Sequence, residues 1–288
     1  DGLTYTIQVK QGVTFQNGEV FDAQDVVFTL QQAVESPYVQ DKVAGLTTDG
    51  IVATGDYTVE LRLEEPNAAL FATLPNIYMV PNEYYAEVGA QAFGTAPVGT
   101  GPYSFVSYTP GQEIVLKAYE GYYGEAPTIT DVTFRIISDN NTILLGLQSG
   151  EIDIAELSTD NYNAAKADSN LVCDLSETSA TMYVYINTER EPYDDPLVRQ
   201  AIAYAVDRQY MVTLGASGLG APTSYVGTAS MVGYPTDVTA IETDVEKAKE
   251  LLAQAGYPNG FDGGTITTAA QYENVAVVLQ EQLAQIGI

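Results

Sequence analysis

Residues 5–28 read YTIQVKQGVTFQNGEVFDAQDVVF, and this stretch indicates the class of fold. The odd-numbered residues from Tyr5 to Val9 are apolar and alternate with polar ones, which is the period of a half-buried strand. After a turn at Asn17-Gly18, Asp22 stands where an acidic side chain caps a helix. The next apolar residues recur at the spacing of one helix face: Val26, Val27, Leu30 and Val34. The stretch therefore predicts a strand, a turn and an amphipathic helix.

The same two periods recur along the 288 residues. Alternation predicts further strands at residues 57–63, 103–108, 113–119 and 132–136, and another that begins at Ile152 and Ile154. Helical spacing predicts helices that begin at Thr142, Asp195 and Asp244, and a last one that carries apolar residues from Val275 to Ile286. Short strands alternating with amphipathic helices predict an α/β fold, and the length favours more than one core.

The charge is strongly negative, with 38 acidic residues against 11 basic ones and a formal net charge of -27. Such a surface repels nucleic acid, whose binding requires cations that neutralise phosphates, so no nucleic-acid partner is expected. Attraction of cationic solutes and plain solubility are both compatible with this charge. No stretch approaches the ~20 apolar residues that a membrane-spanning helix needs.

The chain has no histidine and one cysteine, Cys173. These counts exclude Ser-His-Asp and Cys-His catalysis, an internal disulfide and multi-Cys zinc sites, so neither a metal nor a cofactor is expected. Cys173 lies in an apolar-polar run, which predicts a buried structural thiol. Glu151 and Asp153 point to one face of a predicted strand, either as a carboxylate pair for hydrolysis or, as we expect, as solvated charges. No catalytic residue is therefore assigned.

Five segments in order carry a family resemblance. They are residues 5–28; 98–105 with Pro110-Gly111 and residues 122–124; 147–154; Asn187 with residues 192–195, 198–201 and 205–208; and 246–258. Together they resemble the peptide-binding family of extracytoplasmic solute-binding proteins for ATP-binding-cassette importers, which includes oligopeptide, dipeptide and nickel binders. One departure is Tyr123, which stands where tryptophan is common in the family.

The resemblance implies a two-lobed, type II periplasmic-binding-protein-like α/β fold with an extra small α/β subdomain. By this resemblance residues 1–80 form the small extra subdomain of lobe I, residues 81–184 its main part, and residues 185–288 the beginning of an incomplete lobe II. The chain is expected to be truncated at both ends relative to the family.

The resemblance also implies ligand-binding residues. Tyr38 follows Ser36-Pro37, in a family segment whose tyrosine contacts bound peptide, and Tyr183 matches a family aromatic where the chain crosses between lobes. Glu156 and Leu157 follow a strand that lies close to the ligand in relatives. A tyrosine offers a flat apolar face and a hydroxyl, which suits peptide recognition. Ordinary packing remains the alternative for both tyrosines.

The implied function is capture of peptides between two lobes and delivery to the membrane permease subunits of an importer. The expected location is extracytoplasmic, in the periplasm or on the outer face of the cytoplasmic membrane with a lipid anchor, and the expected state is a monomer without enzymatic activity. The same fold could hold a nickel complex, haem or an oligosaccharide, or serve a sensor or chaperone role. The absence of histidine argues against bare nickel, and the absence of tryptophan gives sugar stacking less support.

Overall fold

The computed structural model describes residues 2–176, 180–235, 237, 239–269 and 272–288. The contacts divide the chain into two compact units, Asp1–Ile137 (unit 1) and Ser138–Ile288 (unit 2). Each unit has a hydrophobic core of its own. The implied boundaries after residues 80 and 184 are not tested by this division and stay predictions.

Unit 1 contains the strands. Its elements are, in chain order, β1 (Thr4–Gln8), α1 (Ala23–Glu35), β2 (Leu46–Gly55), β3 (Thr58–Leu63), α2 (Leu70–Thr73), α3 (Asn82–Thr95), β4 (Tyr103–Thr109), β5 (Glu113–Ala118) and β6 (Asp131–Arg135). Short 3-10 helices lie at Gln40–Val43 and Leu74–Asn76. Within residues 2–137 the strands form two antiparallel sheets, ordered β1-β3-β2 and β4-β5-β6.

Helix α1 forms where its sequence predicts. The Asp22 carboxylate accepts a hydrogen bond from the Gln24 amide at 2.7 Å, and the Asp25 carboxylate accepts one from the Asp22 amide at 2.9 Å. This reciprocal arrangement is a capping box, and it satisfies amides that a helix start leaves without partners. The buried face carries Leu30, which packs in the core with β2 and β3, and burial of one such side chain stabilises the fold by ~1.5–3 kcal/mol.

The second sheet of unit 1 is a hairpin with a third strand added. The Gln112 amide donates to the Thr109 carbonyl at 3.0 Å and closes the turn at Pro110-Gly111 between β4 and β5. Strand β6 then pairs with β5. The predicted strands at residues 5–9, 57–63, 103–108, 113–119 and 132–136 are confirmed, with ends that differ by one or two residues. Strand β2 and helices α2 and α3 are additions that the sequence analysis did not predict.

The regular elements of unit 2, within its described residues, are helices. They are α4 (Asn140–Ser149), α5 (Thr159–Lys166), α6 (Pro196–Ala205), α7 (Arg208–Tyr210), which continues as a π-helical turn (Met211–Gly215), α8 (Val245–Gln254) and α9 (Glu273–Ala284). The predicted helices correspond to α4, α6, α8 and α9 and are confirmed. Asp195 and Asp244 accept amide hydrogen bonds at the starts of α6 and α8, as their sequences predict. Gly150 ends α4 in the left-handed conformation that glycine favours.

The core of unit 2 lies between α6 and α8 and is completed by the end of the chain. Val198 and Ala201 of α6 are buried together with Leu251 and Leu252 of α8, and Ile286 joins them. The apolar stripe of α6 is therefore buried by packing against another helix, α8.

The strand predicted at Ile152 and Ile154 is wrong for the described structure, which assigns no strand to residues 151–158. Ile154 is 87 % exposed. A strand exists only where a neighbouring strand takes its backbone hydrogen bonds, and alternation in the sequence does not supply that neighbour. The expectation for Cys173 is wrong for the same reason, because its segment forms no strand and the thiol is only half-buried.

Candidate functional site

Tyr38 lies in unit 1, on the turn between α1 and the 3-10 helix Gln40–Val43. The turn is held by the Ser36 carbonyl, which accepts from the Val39 amide at 3.3 Å and from the Gln40 amide at 3.0 Å. The ring itself is 88 % exposed. An aromatic side chain presented to solvent on a fixed turn offers a contact face to a ligand.

The turn that carries Tyr38 rests on well-anchored neighbours. The Thr73 hydroxyl donates to the carbonyl of Lys42, at the end of the 3-10 helix, and so ties that helix to α2. A shallow cavity of about 380 Å³ adjoins this helix and is lined by Val34, Gln40, Asp41, Val43, Ala44 and Leu46. The support of Tyr38 is therefore ordered even though the ring is not packed.

Glu156 and Leu157 lie in unit 2, immediately before α5. Glu156 is exposed and Leu157 is half-buried. Helix α5 is tied to its surroundings by Asn161, whose side-chain amide donates to the Asn140 carbonyl at 2.8 Å. Asp160 of the same helix accepts from the Ser217 hydroxyl at 3.0 Å and from the Asn274 side-chain amide at 2.9 Å. These bonds fix the position from which Glu156 and Leu157 are presented.

Tyr183 lies in unit 2 in a segment, residues 180–187, to which the structure assigns neither helix nor strand. Its hydroxyl lies 2.7 Å from the Tyr185 hydroxyl, and the two rings meet edge to face with centroids 4.8 Å apart. The hydrogen bond to Tyr185, followed by the nearby Tyr185 charge and by desolvation, raises the pKa of Tyr183. The raised pKa favours the protonated phenol, which has a hydrogen to donate.

Unit 2 thus brings Tyr183 together with a residue that sequence reasoning missed. Tyr185 is 85 % exposed and Tyr183 is 48 % exposed. Two tyrosines at positions i and i+2 of an extended segment share one face, and this spacing is the signal that could have identified Tyr185. The predicted residues lie in different units, Tyr38 in unit 1 and the other three in unit 2.

The described residues offer neither of two other functional features. No group of three or more histidine, cysteine, aspartate or glutamate side chains there is arranged to hold a metal ion. No helix in the same residues has the length and apolar character needed to cross a membrane.

Comparison with known proteins places the chain among binding proteins. The sequence profile of the family described as bacterial extracellular solute-binding proteins, family 5 Middle, matches residues 1–288. A glutathione-binding protein (GsiB) of Salmonella paratyphi A is 34 % identical over 298 residues, which cover 100 % of this chain and 57 % of the relative. The chain therefore spans little more than half the length of that curated relative.

Two solved structures share the fold. The ABC transporter-associated periplasmic binding protein DppA from Helicobacter pylori, in complex with the peptide STSA, is 28 % identical, with a TM-score of 0.88 over 100 % of this chain and 61 % of its own. The binding protein AgaA from A. tumefaciens R10, in complex with agropinic acid, is 32 % identical, with a TM-score of 0.83 over 100 % of this chain and 60 % of its own. The expected α/β fold of the type II periplasmic binding proteins is confirmed.

Proposed function

Because the chain belongs to family 5 of the bacterial extracellular solute-binding proteins, we propose that it is part of the substrate-binding component of an ABC importer. In this role it captures peptides and delivers them to the membrane permease subunits. The observation that carries the proposal is the family match over the entire chain, residues 1–288. The similarity to DppA, whose structure holds a peptide, and to a glutathione-binding protein supports peptides as the ligand class.

The two predicted tyrosines have the properties that peptide capture requires. Tyr38 presents an exposed ring on a turn held by backbone hydrogen bonds, and Tyr183 presents a half-exposed ring whose hydroxyl contacts that of Tyr185. An aromatic face accepts side chains of varied shape, while a phenolic hydroxyl bonds to peptide backbone groups. We assign both residues to ligand contact.

Glu156 and Leu157 complete the proposed set. Leu157 offers apolar surface beside the start of α5, and the exposed Glu156 carboxylate offers a partner for a cationic group of the ligand. Burial of a charged peptide terminus without a partner of opposite charge costs several kcal/mol. Glu156 is therefore assigned as a supplementary contact of the ligand.

A non-peptide solute is the second candidate. It is favoured by one observation, the 32 % identity to AgaA, whose structure holds agropinic acid. The absence of histidine makes bare nickel a poor fit, because imidazole is a preferred nickel ligand. A sensor or chaperone role on the same fold would use the same ligand contacts and differ only in the partner that reads them.

The remaining parts of the proposal concern location and chemistry. The protein acts outside the cytoplasmic membrane, in the periplasm or held to the outer face by a lipid anchor, and it acts as a monomer. It is a binding protein and not an enzyme, a proposal supported by the binding proteins that it resembles.

The experiment that tests the proposal is thermal unfolding of the full-length protein against di- to octapeptides, agropinic acid and simple sugars. A ligand that binds only the folded state raises its stability by ~2.7 kcal/mol at a hundredfold excess over the dissociation constant. We expect peptides to raise the midpoint, and Tyr38→Ala and Tyr183→Ala to reduce the shift. A midpoint that responds only to another solute would keep the binding role and reject peptides as the ligand.

A further inference from the structure

The two tyrosines at 183 and 185 form one composite surface. Each hydroxyl has one hydrogen and two lone pairs, and their 2.7 Å contact uses one hydrogen between them. The pair is left with one O–H hydrogen and several lone pairs. Its two rings meet edge to face at 4.8 Å, an arrangement that fixes their relative orientation. The surface therefore combines a rigid apolar corner with a polar edge.

The segment that carries the pair is fastened to a second segment of unit 2. The Gly227 amide donates to the Thr181 hydroxyl at 2.9 Å, two residues before Tyr183. Residues on either side of Gly227 are themselves held together, because the rings of Tyr225 and Tyr234 meet edge to face with centroids 5.6 Å apart. The loop of residues 223–234 thus lies beside the segment of the tyrosine pair.

That neighbouring loop has an unusual composition for this protein. No charged residue occurs from position 209 to position 236, although the whole sequence carries 38 acidic and 11 basic residues. A charged ligand group placed here would lose hydration without meeting an opposite charge, which is unfavourable. An uncharged ligand group placed beside this loop would lose little hydration free energy and would gain apolar contact.

We infer that Tyr185 is a second ligand-contacting tyrosine, and that with Tyr183 it forms a specificity subsite for an uncharged, aromatic or aliphatic side chain of the peptide. The inference rests on the proposed function, because it takes a peptide as the occupant. The rings contact the side chain, and the hydroxyl pair bonds to the adjacent peptide backbone. Tyr185 thereby sets which peptides are preferred, while Tyr183 contributes to binding of all of them.

The test uses the full-length protein and tripeptides Ala-X-Ala with X as Phe, Leu, Gly, Asp or Lys, with affinities measured by isothermal titration calorimetry. The wild type is expected to bind the Phe and Leu peptides at least about tenfold more tightly than the Asp and Lys peptides, a ratio typical of one buried apolar side chain. Tyr185→Ala should remove most of that preference, and it should weaken binding of Ala-Gly-Ala only by the ~2–10-fold expected from loss of one hydrogen bond. Tyr185→Phe should weaken all five peptides by ~2–10-fold, the range for one hydrogen bond.

Tyr78→Ala is the matched control, because Tyr78 is 83 % exposed and lies in unit 1 outside the proposed contacts. It should leave all affinities unchanged. If Tyr185→Ala bound the Phe and Leu peptides as tightly as the wild type does, this inference would be overturned and the proposed function would stand. A lower unfolding temperature of Tyr185→Ala without a change in selectivity would do the same, since it assigns Tyr185 to packing. Failure of the wild type to bind any of these peptides, or of the longer ones above, would overturn the inference together with the proposed function.

Discussion

Gln16 and Gly99 hold each other through two hydrogen bonds. The Gln16 amide donates to the Gly99 carbonyl at 2.9 Å, and the Gly99 amide donates to the Gln16 side-chain oxygen at 3.1 Å. The side-chain nitrogen of Gln16 also donates to the carbonyls of Gly101 at 3.1 Å and Tyr103 at 2.8 Å. A single side chain therefore fastens the loop before α1 to the loop before β4, inside unit 1.

Gln16→Ala should destabilise the protein by about 1.5–4.5 kcal/mol, because three side-chain hydrogen bonds are lost at ~0.5–1.5 kcal/mol each. Gln16→Glu should also destabilise it, since a carboxylate oxygen would face the two carbonyls that now accept hydrogen bonds. Chemical denaturation measures both changes. Gln24→Ala is the control, because that side chain is exposed, and it should change the stability by less than about 0.5 kcal/mol. If neither Gln16 variant changed the free energy of unfolding, the proposed role of the Gln16 side chain in joining the two loops would be contradicted.

The contribution of Asp25 to the free energy of unfolding should decrease as the pH rises through the acid range. The residue is buried, and desolvation raises the pKa of its carboxyl above the ordinary value of 3.8, although the Asn82 and Asp22 amides oppose the shift. A carboxyl with a raised folded-state pKa contributes stability that is present below 3.8 and is lost as the pH rises through the folded pKa. The unfolding free energy of Asp25→Asn should therefore approach that of the wild type as the pH is raised from acid to neutral.

Asp139 provides a control, because its contribution to stability should depend on pH in the opposite direction. Its carboxylate accepts hydrogen bonds from the Thr142 hydroxyl and amide, each at 2.7 Å, and these bonds lower the pKa of Asp139. Its contribution is present above 3.8 and is lost as the pH falls through the lowered pKa, so Asp139→Asn should matter most at neutral pH. Equal pH trends for the two variants would contradict both assignments.

Gly50→Ala should destabilise the first sheet of unit 1 by about 1–3 kcal/mol, the range for overpacking. A Cβ at this position would lie 2.5 Å from the Arg62 carbonyl oxygen of β3. Gly55 in the same strand is the matched control, because its added Cβ would approach no atom more closely than 3.8 Å. Denaturation midpoints of the two alanine variants give the comparison. Equal losses at the two positions would contradict the close contact with Arg62 as the cause.

Added salt should raise the thermal midpoint of the protein. With a net charge of -27, repulsion among carboxylates outweighs the attraction of a few exposed ion pairs such as Lys249–Glu246 at 3.0 Å. Salt at 0.5 M shortens the screening length well below the ~10 Å found at 0.1 M. Calorimetry at low and high sodium chloride measures the change, with an equal osmolarity of glycerol as the uncharged control. A falling midpoint would mean that attractive pairs dominate the surface.

The sequence predicts elements well where the local signals agree. In α1 the capping residue Asp22, the apolar stripe and Pro37 beyond the end all indicate the same helix. Strand β2 lacks such agreement, because its pairing with β3 shifts between Leu46 and Ile51 and interrupts the alternation. Helix α3 has no side-chain cap, no buried residue and a break at Gly89, so no periodic stripe marks it.

The candidate site was only partly predictable for a related reason. Tyr38 and Tyr183 came from a family resemblance, and no local pattern separates them from the other tyrosines among the 21. Tyr185 was missed because the run from Met182 to Ile186 is apolar on both faces, and such a run does not show which face is important. The spacing of two residues from Tyr183 was the available signal, and the hydroxyl contact in the structure shows that the two side chains meet.

The same run has a consequence for handling the molecule. Met182, Val184 and Tyr185 are exposed in a segment without an assigned strand. The backbone of an exposed apolar segment can form strand pairs with the same segment of another copy. Repulsion between the acidic surfaces of the two copies opposes this association. We therefore expect this 288-residue stretch to remain dispersed at low ionic strength and to form β-rich aggregates as salt is added, which light scattering would detect. If light scattering showed no aggregates at high salt and high protein concentration, self-association through this segment would be contradicted.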